Sequence, residues 1–214
     1  MNAPIPQAIP APRPTRAAGA AAAVALLLGV AGVLAGCTTA AVGGGATAAV
    51  AAAEERGLDG AIYDGRIQTT INYKWLEYDK DMFAALNTSI YERRVLLTGV
   101  ATSEEKRNAA VRLAWEVRGV KEVINEIIVD PSGTSGTYAR DTWISAQLRS
   151  KILFDKDIDA INYSIDTVRG TVYLLGVAQS RAEVDRVINH ARNLEYVTKV
   201  VNYVMLKDDP RRAQ

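Results

Sequence analysis

The sequence predicts an α+β fold built from two tandem copies of one αββαβ module, each a small three-stranded mixed sheet with two helices packed on one face. Three observations predict it. First, the chain repeats itself. Gly99-Val100-Ala101 returns as Gly176-Val177-Ala178, and Asp64, Ile67, Val120, Val123 and Asn125 return as Asp141, Ile144, Val197, Val200 and Asn202, each pair 77 positions apart. Self-similarity at a fixed offset marks a duplicated structural unit. Second, apolar spacing inside each copy switches from helical to alternating and back. Third, Arg169-Gly170 separates two alternating runs, the pattern of a hairpin.

The chain begins with an export signal. Residues 1–16 are Pro- and Ala-rich with Arg13 and Arg16, residues 17–33 are apolar, and Leu34-Ala35-Gly36-Cys37 follows. A basic start, an apolar stretch and small residues at the cut site fit a cleaved signal over residues 1–36. The apolar run is also long enough to span a bilayer, but it is Ala/Gly-rich and stops at a small-small-Cys triplet. Leu34-Ala35-Gly36-Cys37 resembles the lipobox of bacterial lipoproteins, which implies diacylglycerol on the Cys37 thiol and acylation of the new amino terminus. Thr38, in a place where Asp is absent, resembles the sorting pattern of the outer membrane. Residues 38–53 hold only Ala, Gly, Thr and Val, so residues 37–57 read as lipidated Cys37 plus a flexible tether; a short Ala-rich helix there would be marginal.

Module one is expected over 58–131 and module two over 138–208, joined by the Ser/Gly/Thr linker 132–137 and followed by a tail at 209–214. Asp64 and Asp141 can cap the first helix of each copy, with Ile67, Ile71 and Trp75, or Ile144, Leu148 and Ile152, as apolar stripe. Hairpins follow at 85–90 with 94–100, and at 160–166 with 171–177. Two fewer residues separate Ile90 from Gly99 than Ile165 from Gly176, so the first turn is expected to differ. Thr102 with Glu105, and Ser180 with Glu183, fit capping boxes of the second helix. A last strand, from Val123 and from Val200, must cross over and so lies parallel to its neighbour. About 70 residues is marginal for one core, so the copies are expected to pack together.

These patterns resemble the BON domain of bacterial envelope proteins. The residues that carry the likeness are Val95-Leu96-Leu97-Thr98-Gly99-Val100, its repeat Val172-Tyr173-Leu174-Leu175-Gly176-Val177, and the closing Val-x-x-Val-x-Asn. With the lipobox, the chain is similar to dual-BON outer-membrane lipoproteins of the DolP type. Family members often have Gly before the last strand. Gly119 fits this, and Tyr196 replaces it in the second copy. The resemblance implies attachment to the inner leaflet of the outer membrane, binding of anionic phospholipid by the second domain, and a role in envelope integrity.

The residues add to this. On the first helix of copy two, Trp143 lies off the core stripe, with Gln147 on its side and Lys151 near; Phe154 joins it if the helix continues, and the position matching Trp143 in copy one is Arg66. A Trp on a polar face near cations suits a lipid headgroup region, though it also suits packing on the other module or the tether. Arg149 and Lys151 can pair with phosphate. The expected phospholipid site is therefore Trp143, Gln147, Arg149, Lys151 and Phe154. Residues 57–130 carry 10 basic and 12 acidic side chains and residues 138–214 carry 12 and 10, so the positive excess is in copy two.

Other functions find little support. Only Arg13 and Arg16 are charged before Cys37, leaving 23 basic and 24 acidic residues from there on, with no basic excess for nucleic acid. His190 is the single histidine, and no Cys/His/carboxylate spacing suits a metal. Asp79-Lys80-Asp81 and Asp155-Lys156-Asp157 suggest solvated turns rather than calcium loops. No phosphate loop or nucleophile elbow is present, and neither an enzyme nor a cofactor is expected. The rival expectation is a protein-interaction module whose exposed sheet face or edge strand docks an envelope assembly partner or a second copy.

Overall fold

A computed structural model describes residues 44–133 and 136–213, and the chain from Gly44 onward forms one compact unit. The first module comprises α1 (Gly44–Ala53), α2 (Gly57–Tyr78), α3 (Lys80–Ala85), β1 (Leu86–Tyr91), β2 (Arg94–Ala101), α4 (Glu104–Trp115), β3 (Glu122–Asn125) and β4 (Ile128–Val129). The second comprises α5 (Tyr138–Leu153), β5 (Tyr163–Val168), β6 (Thr171–Ala178), α6 (Arg181–Arg192) and β7 (Lys199–Leu206), with a 3₁₀ turn at Pro210–Ala213 after it.

Each sheet has the expected mixed topology. β2 runs antiparallel to β1 and parallel to β3 and β4; β6 runs antiparallel to β5 and parallel to β7. β3 and β4 keep one register on β2, with Leu97 opposite Asn125 and Val100 opposite Ile128. Between them the Asn125 side-chain oxygen accepts the Ile127 N–H. Asn202 does the same for Val204, and β7 runs on unbroken.

Side chains alternate across each central strand, so its two faces serve two cores. Val95 and Leu97 face α2 and α4 with Ile71, Trp75 and Ala110; Val172 and Leu174 face α5 and α6 with Ile144, Leu148 and Val187. The opposite faces meet each other. Leu96, Val100, Tyr173, Leu175 and Val177 form a third buried cluster between the two sheets. The unit therefore has four layers, helices outside and sheets inside, and the modules solve their size problem by sharing a core. The open sheet face expected as a docking surface is consumed by this packing.

Polar groups stitch the same seam. The Thr98 hydroxyl donates to Asp166, the Tyr203 hydroxyl donates to Glu126, and Arg94 donates to the Tyr203 carbonyl at 2.9 Å. Burial pushes the Asp166 carboxyl above its ordinary range, against the opposing pull of the Thr98 hydroxyl.

The aspartates expected as helix caps do something else. Helix α2 begins earlier, at Gly57, and Asp141 sits within the first turn of α5. Asp64 accepts the N–H groups of Glu92 and Arg93, both at 2.8 Å. Asp141 accepts those of Arg169 and Gly170 at 2.8 and 2.9 Å. All four turn residues have positive φ, between 52° and 76°. A two-residue turn of this hand leaves its amides outside the ladder, and a buried carboxylate from the neighbouring helix satisfies them. Both hairpins close on equivalent pairs, Tyr91 with Arg94 and Val168 with Thr171. The first turn is therefore no shorter, and the true counterpart of Ile90 is Thr167. Gly99 and Gly176, at φ 106° and 146°, let β2 and β6 pass under the start of the preceding strand, where a Cβ would overlap the Ala85 or Asn162 carbonyl oxygen.

One further expectation needs correction. The tether is helical from Gly44, because Ala is the best helix former and α1 rests on α2. Beyond it the Glu55 N–H donates to Asn162 at 2.8 Å, and Arg56 donates to Asp64 and to the Ile90 carbonyl at 2.9 and 3.0 Å. The tail is docked, with Arg212 paired to Glu92 at 2.6 Å. The acidic triplets leave Lys80, Asp81, Lys156 and Asp157 exposed, and their first residues also make structural contacts: Asp79 caps α3 and pairs with Lys106, while Asp155 pairs with His190 at 2.7 Å.

Candidate membrane-contact site

Helix α5 buries Ile144, Leu148 and Ile152 and turns another face outward. At 3.6 residues per turn, Trp143, Gln147, Ser150 and Phe154 align on that face, with Arg140 and Lys151 on one flank. Trp143 is 42% exposed and Phe154, just past the helix end, is 82% exposed; Gln147 and Lys151 are exposed as well. Leu153, on the other flank, is 65% exposed. Large apolar side chains left this open beside cations are the kind of surface that needs a partner.

Arg149 does not join the stripe. It lies about 120° around the helix from Trp143, and its guanidinium donates to the Ile165 carbonyl on β5 at 2.8 Å. At the far end Ser150, Lys151, Phe154, Asp155, Lys156 and His190 line a shallow depression. The His190 Nε2 lies 2.7 Å from Asp155, and this bond is the main cause that holds the Asp155 carboxyl below its usual range. His190 thus ties α6 to the end of α5. Among the described residues no group of three or more His, Cys, Asp or Glu side chains could hold a metal. Cys37 lies outside the described residues.

The sequence reading missed Arg140 and Tyr196. The Tyr196 ring stands edge-on to Trp143, centroids 6.2 Å apart, and the Arg140 guanidinium sits 4.8 Å over it. The first module solves the same position in reverse. There the ring is on the helix, Tyr63, over Gly119 at φ 99°, where a Cβ would meet the Tyr63 ring. In the second module the helix residue is Arg140 and the loop residue is Tyr196, at φ 68°. The signal was present in the sequence as the replacement of the expected Gly by Tyr196. Its meaning needed the distance to Trp143.

The BON domain profile matches residues 63–131 and 140–208, both copies of the duplicated unit. The chain belongs to the BON-domain family. It is 32% identical over 185 residues to the outer membrane lipoprotein DolP of Haemophilus influenzae, covering 85% of this chain and 95% of that protein. It is 40% identical over 152 residues to an uncharacterized protein of Anaplasma centrale, covering 71% of this chain and 99% of that one. It is 25% identical over 146 residues to the osmotically-inducible protein Y of Escherichia coli, covering 67% and 73%. This BON protein is of the DolP type, an outer-membrane lipoprotein anchored by lipid on the periplasmic face. No helix among the described residues is long and apolar enough to cross a membrane.

Proposed function

We propose that this BON protein binds anionic phospholipid through its second domain, with Cys37 carrying the lipid, and that it supports the envelope by binding rather than by catalysis. The observation that carries the reading is the outward stripe of α5, where Trp143 and Phe154 stand exposed beside Lys151, Arg140 and Lys156. Burying one large apolar side chain contributes about 1.5–3 kcal/mol, and each cation near an anionic leaflet about 1 kcal/mol. Such a contact is weak alone. Joined to a lipid anchor it acts at high effective concentration and orients the body on the membrane.

The test uses a Cys37→Ala chain lacking residues 1–36, so that no anchor contributes. It should sediment with phosphatidylglycerol vesicles and much less with phosphatidylcholine vesicles. Trp143→Ala and Phe154→Ala should each weaken binding several-fold. Equal sedimentation with both lipids would contradict the proposal. Mass spectrometry of the exported native chain should find the Cys37 thiol acylated.

One observation favours a second reading, a protein-docking role. Helix α2 carries an exposed apolar stripe, Leu58, Ile62, Tyr73 and Leu76, directly opposite its buried face. It lies on the outer layer away from α5, so it stays free when α5 meets lipid. A photo-reactive residue at Tyr73 that captures one stoichiometric partner in cells would support that reading.

A further inference from the structure

We propose that a cleft in the first module binds a phosphoryl group. The cleft lies between α2, the β1–β2 turn and the C-terminal 3₁₀ turn, and its volume is about 280 Å³. Four cations line it, Arg56, Arg93, Lys121 and Arg212, against two carboxylates, Asp64 and Glu92. The Tyr63 ring forms part of the wall.

The two carboxylates are engaged by Arg56 and Arg212, and Arg56 also pairs with Glu54. Asp64 holds Arg56 and the turn amides of Glu92 and Arg93. Glu92 takes three hydrogen bonds from Arg212, spread over both carboxylate oxygens. The Arg93 guanidinium makes no ion pair or hydrogen bond among the described residues; it rests 5.8 Å over the Tyr63 ring. A guanidinium fork held beside further cations in a concave wall matches the geometry of phosphate oxygens.

Backbone strain points to the same residue. Arg93 occupies φ 66°, where the second module has Gly170 at φ 76°. A bulky residue in the left-handed region, where the duplicate keeps glycine, breaks a local rule, and such breaks gather at functional sites. The duplication also serves as an internal control. At the 77-residue offset Arg56, Arg93 and Lys121 are replaced by Gly133, Gly170 and Thr198. Those three cations therefore have no cationic counterpart at the same offset in the second module. The cleft does not include the α5 stripe, so it stands or falls separately from lipid binding there.

The phosphoryl group has two possible sources, the diester of a phospholipid headgroup and free phosphate. The test uses the full lipidated protein in neutral detergent, titrated with inorganic phosphate, with glycerophosphoglycerol, and with chloride at matched ionic strength. At about five times the dissociation constant the melting midpoint should rise by roughly 2–4 °C, and the amide signals of Arg93, Gly119 and Lys121 should move. Arg93→Gly places the duplicate's own residue in the turn, so it should fold and bind at least about tenfold more weakly. A rise with the diester assigns the headgroup as source; a rise with inorganic phosphate alone assigns free phosphate. An equal rise with chloride, or an undiminished response in Arg93→Gly, overturns the proposal.

Discussion

The Asp141 carboxylate holds the Arg169 amide at 2.8 Å, and in the first module Asp64 holds the Arg93 amide at the same distance. One buried acid per module thus locks the first helix to the hairpin turn. Hydrogen bonds to a charged group contribute about 1.5–3 kcal/mol each. Asp141→Ala should therefore cost about 3–5 kcal/mol, and Asp141→Asn less, because the amide oxygen still accepts. Urea denaturation checks this; a loss under 1 kcal/mol for the alanine variant would contradict the role.

The shared sheet-to-sheet core predicts one cooperative transition. Leu175 is fully buried in that seam and Trp75 is fully buried in the first module. Leu175→Ala should cost about 2–5 kcal/mol. It should shift the Trp75 fluorescence change and the far-UV dichroism change together. Separate transitions would mean that the modules fold as independent domains.

Tyr196→Gly sets two effects against each other. Releasing a left-handed residue gains about 1–2 kcal/mol, while loss of the ring contacts with Arg140 and Trp143 costs about 1–2 kcal/mol in total. Stability should stay within about 1 kcal/mol of wild type, by that same arithmetic. Binding to anionic vesicles should fall, because Trp143 loses its edge-on neighbour. A stable variant with unchanged binding would remove Tyr196 from the site.

Asp166 gives a pH dependence. Burial between the sheets raises its carboxyl pKa above the unfolded value. The folded state then holds its proton more tightly, so the stability this group contributes is present at low pH and is lost as pH rises through the raised value. Asp166→Asn should raise the melting midpoint at pH 7, and the difference from wild type should shrink at pH values below the normal Asp pKa of about 3.9. An asparagine variant less stable than wild type at pH 7 would reverse the sign and contradict the assignment.

Much of this was legible in the sequence because duplication and side-chain periodicity are local signals. The offset between Gly99 and Gly176 located both modules, and the alternation around Leu96 and Leu174 located both central strands. One miss was a local slip of one residue, since Ser103 rather than Thr102 caps α4 and accepts the Lys106 N–H; the others were matters of three-dimensional contact. Asp64 and Asp141 look like helix caps because capping and turn-stapling both need an acid near a helix start. Arg149 reads as a surface cation until its guanidinium is seen on the Ile165 carbonyl. The helix at Gly44–Ala53 is one that composition allows but leaves marginal alone, and its rest on α2 supplies the missing support. Tyr196 was visible as a departure, but its partner Arg140 lies far away in sequence.

The most direct test of the central claim, that α5 rather than the opposite face meets lipid, uses the chain's own tryptophans. Trp143 is 42% exposed on α5, Trp115 is 52% exposed at the end of α4, and Trp75 is fully buried. The lipid-anchored protein is placed in phosphatidylglycerol vesicles carrying brominated acyl chains, and emission is compared between Trp115→Phe and Trp143→Phe variants. The account predicts strong quenching in Trp115→Phe, where Trp143 remains, and little in Trp143→Phe. Quenching that follows Trp115 instead, or that is equal in both, would contradict it.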